Sequence, residues 1–418
     1  MSKNFKTGFL SGLFGALLIF LVAGAAFILL RGKLDQQDPL QDIQAQDETT
    51  EEEGQQYDRI VEKLTFLEML IDNYYLEEMD PDAYAEGIYK GFLSSLDDPY
   101  STYFTKEEYK SLMESSSGIY HGIGATVSQD VKTGIITIIK PFENGPAYKV
   151  GLLPGDIIYK VEDEEVTGLD LTEVVSRMKG IEGTTVHITI LRDEVVDPLE
   201  FTITRQEIKV PTIEYEMLAY DIGYIIITEF DEITINQFIS AVDDLERRGM
   251  KGLIVDVRNN PGGLLDSVVK ILDRLLPKGL IVYTEDKYGK RLEEDAVDSK
   301  KINVPLAVLI NANSASASEI FAGAIQDYKI GTIVGTTSFG KGIVQKVMPL
   351  NDGTAIKLTI SKYYTPKGRN IHGTGILPDV EVDLTEELKQ KITIPIEEDN
   401  QLQEAINVVK DKINNSMN

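Results

Sequence analysis

Ser314, Ser316 and Ser318 alternate with alanine, and Lys341 follows between Gly340 and Gly342. A serine hydroxyl attacks a carbonyl well only when a base removes its proton. Lysine is protonated at neutral pH at its ordinary pKa. Burial disfavours that charge and turns the side chain into a usable base. Flanking glycines let backbone pack close around Lys341 and exclude water. Gln345, a neutral amide, can hold the amine without restoring its positive charge. These residue types suggest a serine nucleophile with a lysine base, and spacing alone does not choose among the three serines. An apolar strand ending near Ile310 must present them. A helix through Ile320, Phe321, Ala324 and Ile325 must follow, and the lysine must sit on a loop ahead of the strand-like run from Ile343.

Composition removes other chemistries. The chain has no cysteine, which excludes disulfides, thiol catalysis and cysteine-ligated metals. Its three histidines, His121, His187 and His372, are far apart in sequence, so no histidine metal cluster or His-x-x-x-His pair is expected. A net charge of −27 argues against a nucleic-acid partner. Gly335-Thr-Thr-Ser-Phe-Gly-Lys341-Gly342 is nearly a phosphate-binding loop. It lacks the final Ser or Thr and precedes a strand-like run where such a loop needs a helix. No cofactor is expected.

At 418 residues the chain has room for two or three domains. Residues 8–30 form an apolar run with no charge, long enough to cross a bilayer. The expectation is a single-pass anchor within residues 1–33, with the catalytic body outside the cytoplasm. Secretion after signal-peptide cleavage is the alternative. Residues 34–56 are acidic and poor in apolar side chains, and read as a solvated tether. Residues 57–116 carry helical periodicity at Ile60, Leu64, Leu67 and Ile71, and Thr105 with Glu108 forms a capping box. Packing or homodimerisation is the expected role, and no chemistry is assigned to this segment.

Residues 117–206 alternate short β-rich runs with turns. Gly122-Ile123-Gly124-Ala125, Gly145-Pro146-Ala147 and Gly151-Leu-Leu-Pro-Gly-Asp156-Ile-Ile158 resemble a PDZ domain. A glycine-rich loop with free N–H groups can hold a peptide carboxylate, and a strand edge can accept an extended peptide. The resemblance implies a pocket formed by Gly122, Ile123, Gly124 and Ala125 with Val175 and Met178 (Val174 is the neighbouring choice). The occupant would be a protein or peptide with an apolar carboxy terminus. Lys179-Gly180 stands where that arrangement often has Arg-Gly. Lysine loses the bidentate geometry of arginine, with Arg177 as a substitute.

Residues 207–382 alternate strands and helices, which points to a largely parallel sheet with covering helices. Residues 383–418 end in a helix with Leu402, Ala405, Ile406 and Val409 on one face, fit for a swapped or dimer-forming tail. Four motifs resemble the carboxy-terminal processing peptidases: Asp256-x-Arg258-x-Asn260-x-Gly262-Gly263, Ser314-Ala-Ser316-Ala-Ser318-Glu319, Phe339-Gly-Lys341-Gly-x-x-Gln345 and Gly375-Ile-x-Pro-Asp379. The resemblance implies a serine endopeptidase with a crotonase-like α/β core and an embedded PDZ domain. It places the nucleophile on Ser316, the base on Lys341 and its partner on Gln345. An oxyanion site needs two N–H donors. Ala317 follows the nucleophile at a helix start, and Gly262 (with Gly263 next) lies in the Pro-Gly-Gly turn. The expected fold class is α+β multidomain: transmembrane helix, helical segment, PDZ domain, peptidase core and helical tail.

Overall fold

A computed structural model describes residues 51–78, 80–298, 301–391 and 394–417. It separates into two compact units, residues 1–84 and 85–418. In the first, the helix Glu51–Tyr74 leaves Tyr57, Ile60, Val61, Phe66, Leu67 and Met69 exposed. The expected transmembrane helix over residues 8–30 lies outside the described residues. Among the described residues no helix is long and apolar enough to cross a membrane. Even the 24-residue helix Glu51–Tyr74 carries charged side chains along its length. The expected fold class is therefore corrected to a mixed α/β architecture with a separate β domain, without the transmembrane helix.

The peptidase core of the second unit is a six-stranded sheet. Its order is Ile213–Leu218, Ile222–Ile227, Gly252–Asp256, Leu306–Ile310, Gly331–Gly335 and Val380–Glu381. The first pair is antiparallel and every later pair parallel. The strands Gly252–Asp256 and Leu306–Ile310 are buried at every residue, as a sheet covered on both faces requires. Helices Glu232–Arg247, Leu265–Asp273 and Ala317–Tyr328 fill one face with Phe238, Leu245, Leu272 and Phe321. The carboxy-terminal helix Asn400–Met417 covers the other. Its Leu402, Ala405, Ile406, Val409 and Ile413 cluster with Ile222, Ile254, Leu309 and Val334. The apolar face read as a swapped or dimer-forming tail closes the chain's own core.

A second, antiparallel sheet was not anticipated. It runs Thr102–Phe104, Ala355–Tyr364, Gly279–Asp286, Arg291–Ala296, with Ile343–Pro349 also paired to Ala355–Tyr364. The Lys341 loop enters this sheet. The PDZ sheet runs Ala125–Gln129, Ile136–Pro141, Ile157–Val161, Thr185–Leu191, Leu199–Thr204, and Glu164–Glu165 pairs Ile157–Val161. Ile119–Gly122 pairs antiparallel with Gln206–Lys209, so the chain enters and leaves this region side by side. Asp156 of the Pro-Gly-Asp turn is buried. It accepts the Leu153 N–H at 2.8 Å and a bidentate pair from Arg192 at 2.7 and 2.8 Å, which fixes the turn.

Candidate active site

The strand Leu306–Ile310 delivers the three serines to its carboxy-terminal end, where the chain turns into the helix Ala317–Tyr328. Their environments differ sharply. Ser314 is buried and its hydroxyl donates to Val257 O at 2.7 Å; Ser318 is buried and donates to Asn260 O at 3.0 Å. Both hydroxyls hold the turn together. Ser316 alone keeps solvent access. Its φ of +54° with ψ of −113° is a strained backbone for a residue with a Cβ.

Glu319 organises this site. Its carboxylate is fully buried and accepts four hydrogen bonds. Oε2 takes Ser316 N–H at 2.9 Å and Lys341 N–H at 2.8 Å, while Oε1 takes Gly340 N–H at 2.7 Å and the Ser338 hydroxyl at 2.6 Å. One oxygen thus ties the serine turn to the lysine loop. Tyr363 adds a second tie, donating its hydroxyl to Ser316 O at 3.1 Å. The loop itself is tight. A Cβ on Gly342 would lie 2.5 Å from His372 N, so only glycine permits this approach.

Lys341 is half-buried, and burial pushes its ammonium below the ordinary lysine value. Neighbouring Lys357 pushes the same way, while Asp98 and Glu319 oppose. The Lys341 Nζ lies 4.6 Å from the centre of the Tyr100 ring and makes no hydrogen bond to Ser316 or Gln345. Gln345 Nε2 is buried without a partner, and so is Oγ1 of Thr359, its register partner across the sheet. A buried unmade donor costs about 1–3 kcal/mol, and Gln345 Nε2 carries one beside the lysine loop. Asp98 and Tyr100 both fall in the segment 57–116, to which the sequence assigns no chemistry.

On the oxyanion side, Ala317 N–H stands at the first turn of the helix without an acceptor among the described residues. A Cβ on Gly262 would lie 3.0 Å from Ala317 N and 2.8 Å from the Ser316 Cβ, which places this turn against the serine. The Gly262 N–H, however, donates to Asn260 Oδ1 at 2.8 Å. Asn260 is buried and anchored by its own donation to Ile227 O at 2.8 Å, so its amide oxygen turns back onto Gly262. Gly262 as a free donor is therefore corrected in this structure. The next N–H, on Gly263, has no acceptor among the described residues.

Asp256 and Arg258 of the first motif form a buried brace. Arg258 reaches Asp256 Oδ2 at 2.6 Å, Asp399 Oδ2 at 2.8 Å and Gln401 Oε1 at 3.0 Å, which pins the carboxy-terminal helix to the sheet. The near-phosphate loop at 335–342 leads into the strand Ile343–Pro349, so no helix amino terminus follows it.

The PDZ cleft encloses about 280 Å3 and is lined by Ile123, Ala125, Val175 and Met178. Gly122 and Gly124 lie behind this wall. A Cβ on Gly122 would meet the Tyr120 ring at 2.9 Å. Lys179 sits over the Tyr120 ring at 5.0 Å and pairs with Glu114 at 3.1 Å. Burial pushes the Tyr120 hydroxyl up to about 12, against the opposing pull of the Ala125 and Gly124 N–H groups. Arg177 does not substitute at the Lys179 position, because Glu164 and Glu173 hold it at 2.6 and 2.7 Å.

Comparison with known proteins agrees with this arrangement. The family model described as Peptidase family S41 matches residues 221–382, and a PDZ domain matches residues 141–192. The amino-terminal domain of the activating protease CtpB matches residues 19–108. A carboxy-terminal-processing protease of Bartonella bacilliformis is 38% identical over 351 residues, 82% of this chain and 79% of that one. The carboxy-terminal processing protease CtpA of Bacillus subtilis is 38% identical over 320 residues, covering 76% and 68%. The structure of an S41 protease from Bacteroides fragilis superposes with a TM-score of 0.50 at 16% identity, covering 80% and 99%, and shares the fold. The resemblance read from the four motifs and the PDZ turn is therefore borne out, and the chain belongs to the carboxy-terminal processing proteases of peptidase family S41, which are serine peptidases.

Proposed function

We propose that this protease is an endopeptidase that takes the carboxy terminus of a protein in its PDZ cleft. It cleaves with Ser316 as nucleophile, Lys341 as general base and Gln345 as the partner of the neutral amine. The observation that carries the assignment is the Glu319 carboxylate, whose single oxygen binds the backbone of both Ser316 and Lys341. The sealed hydroxyls of Ser314 and Ser318 support it further.

In the first step the Lys341 amine takes the Ser316 proton as Oγ bonds to the scissile carbonyl carbon. The resulting oxyanion meets Ala317 N–H and Gly263 N–H. Lys341 then gives its proton to the leaving amine, the peptide C–N bond breaks, and an acyl-enzyme remains. Water repeats the cycle: Lys341 takes its proton, the ester bond breaks and Ser316 recovers its hydrogen. Losing one oxyanion donor costs about 3–4 kcal/mol in such sites.

Ser316→Ala and Lys341→Ala are each expected to abolish cutting of fluorescein-labelled casein, while Ser314→Ala keeps the nucleophile. Activity in Ser316→Ala together with its loss in Ser318→Ala would overturn the assignment. Action outside the cytoplasm is proposed on the uncharged run at 8–30, acting as an export segment. Protease accessibility in intact cells tests it. Self-association is proposed on the exposed apolar residues of Glu51–Tyr74, and a Leu67→Asp variant that sediments like the wild type would refute it.

A further inference from the structure

The turn at residues 98–101 lies in a segment to which the sequence assigns no chemistry, yet it packs on the lysine. Ser101 Oγ donates to Asp98 Oδ2 at 2.6 Å and accepts Thr359 N–H at 3.1 Å. Tyr100 N–H donates to Asp98 Oδ1 at 3.0 Å. The following strand Thr102–Phe104 pairs with Ala355–Tyr364, with Thr102 opposite Lys357 and Phe104 opposite Ala355. These bonds fix the Asp98 carboxylate and the Tyr100 ring, and the ring faces the Lys341 Nζ at 4.6 Å. A cation over an aromatic face is attracted by the ring quadrupole, and a nearby carboxylate favours the ammonium further.

From this geometry we infer that Asp98 and Tyr100 are positioning residues of the active site, holding Lys341 as an ammonium and governing its release as the amine that serves Ser316. The proposal rests on Lys341 being the base. On release the ammonium gives one proton to water, and the neutral amine leaves the ring with its lone pair free for the Ser316 hydroxyl. The groups facing Lys341 are Asp98 and Tyr100 from the turn, Lys357 from the strand Ala355–Tyr364, and Glu319 from the helix Ala317–Tyr328. Burial raises Asp98. The Ser101 hydroxyl, the Tyr100 N–H and Lys341 more than offset that, so Asp98 titrates below the ordinary carboxylate range. It is therefore charged at neutral pH. No other residue ahead of the PDZ domain is assigned a part in the reaction.

The test is the pH profile of kcat/KM on fluorescein-labelled casein, measured with the full chain. Activity rises with pH as Lys341 loses its proton, so the acid limb reports its proton affinity. Asp98→Asn removes a neighbour that favours the ammonium, and its acid limb is expected about one unit lower. Tyr100→Leu is expected to move the limb the same way, and Tyr100→Phe, which keeps the ring, to leave it in place. Lys357→Gln removes a like charge from the opposite side and is expected to move the limb up; it keeps the proposal falsifiable if a turn variant fails to fold. A merely structural turn would lower kcat without moving the limb. An unmoved limb in Asp98→Asn and Lys357→Gln overturns the proposal while an inactive Lys341→Ala leaves the base assignment standing. An active Lys341→Ala overturns both.

Discussion

Replacing Glu319 with glutamine tests how Ser316 and Lys341, the proposed nucleophile and base, are held together. The wild-type carboxylate accepts two donors on each oxygen, three of them backbone N–H groups. Glutamine turns one of those oxygens into an NH2 donor. Aimed at Ser316 and Lys341 it would leave two buried N–H groups facing a donor. The less costly rotamer aims it at Ser338 and Gly340, because the serine hydroxyl can rotate and accept. Even then the Gly340 N–H is stranded, at about 1–3 kcal/mol. The two surviving bonds lose their charge and roughly half their strength. The sum is about 3–5 kcal/mol, concentrated in the loop that carries Lys341. A misplacement of about 1 Å in a catalytic group can cost roughly a hundredfold in rate. Glu319→Gln is therefore expected to lower kcat/KM on casein by about two orders of magnitude and to shift the urea midpoint downward. Glu319→Asp, one methylene shorter, cannot reach both segments and should fall as far. A Glu319→Gln enzyme with wild-type kcat/KM and an unchanged midpoint would refute the reasoning.

Other perturbations follow from the same geometry. Gly262→Ala would put a Cβ 2.8 Å from the Ser316 Cβ at a φ of +113°. It is expected to remove activity while leaving peptide binding in the PDZ cleft measurable by fluorescence anisotropy. Arg258→Met leaves Asp256 and Asp399 buried without their cation, and should cost about 3–5 kcal/mol of stability, read as a lowered urea midpoint. Burial and the neighbouring Glu229 push the Asp231 carboxyl up to about 7. Because that folded value is raised, its contribution is complete below the unfolded value near 4 and is lost as pH rises to about 7. Asp231→Asn, which retains a good helix cap, should accordingly raise Tm at pH 8 more than at pH 5.

Much of this fold is legible along the chain because its strands and helices keep clean periods. The apolar strand expected to end near Ile310 is the buried strand Leu306–Ile310, and the capping box at Thr105 and Glu108 is made as written. Ile123, Ala125, Val175 and Met178 line one cleft. What stayed hidden depends on contacts distant in sequence. The apolar face of Asn400–Met417 looks the same whether it meets its own sheet or a second copy. The antiparallel sheet joins Thr102–Phe104 to Ala355–Tyr364 across about 250 residues, so nothing local announced that Asp98 and Tyr100 reach Lys341. Glu319 stood in plain view within the serine motif, but only the folded loop shows that its carboxylate spans two segments. The choice of Ser316 among three serines likewise turns on which hydroxyls are sealed, a property of packing that alternation with alanine cannot express.

In the proposed mechanism Ser316 is the nucleophile and Lys341 its base. The most direct measurement is peptide mass spectrometry after reaction with a fluorophosphonate, which phosphonylates a serine activated by a neighbouring base. The account predicts one adduct, on Ser316, formed at neutral pH and absent from Lys341→Ala. An adduct on Ser314 or Ser318, or full labelling of Ser316 in Lys341→Ala, would contradict it.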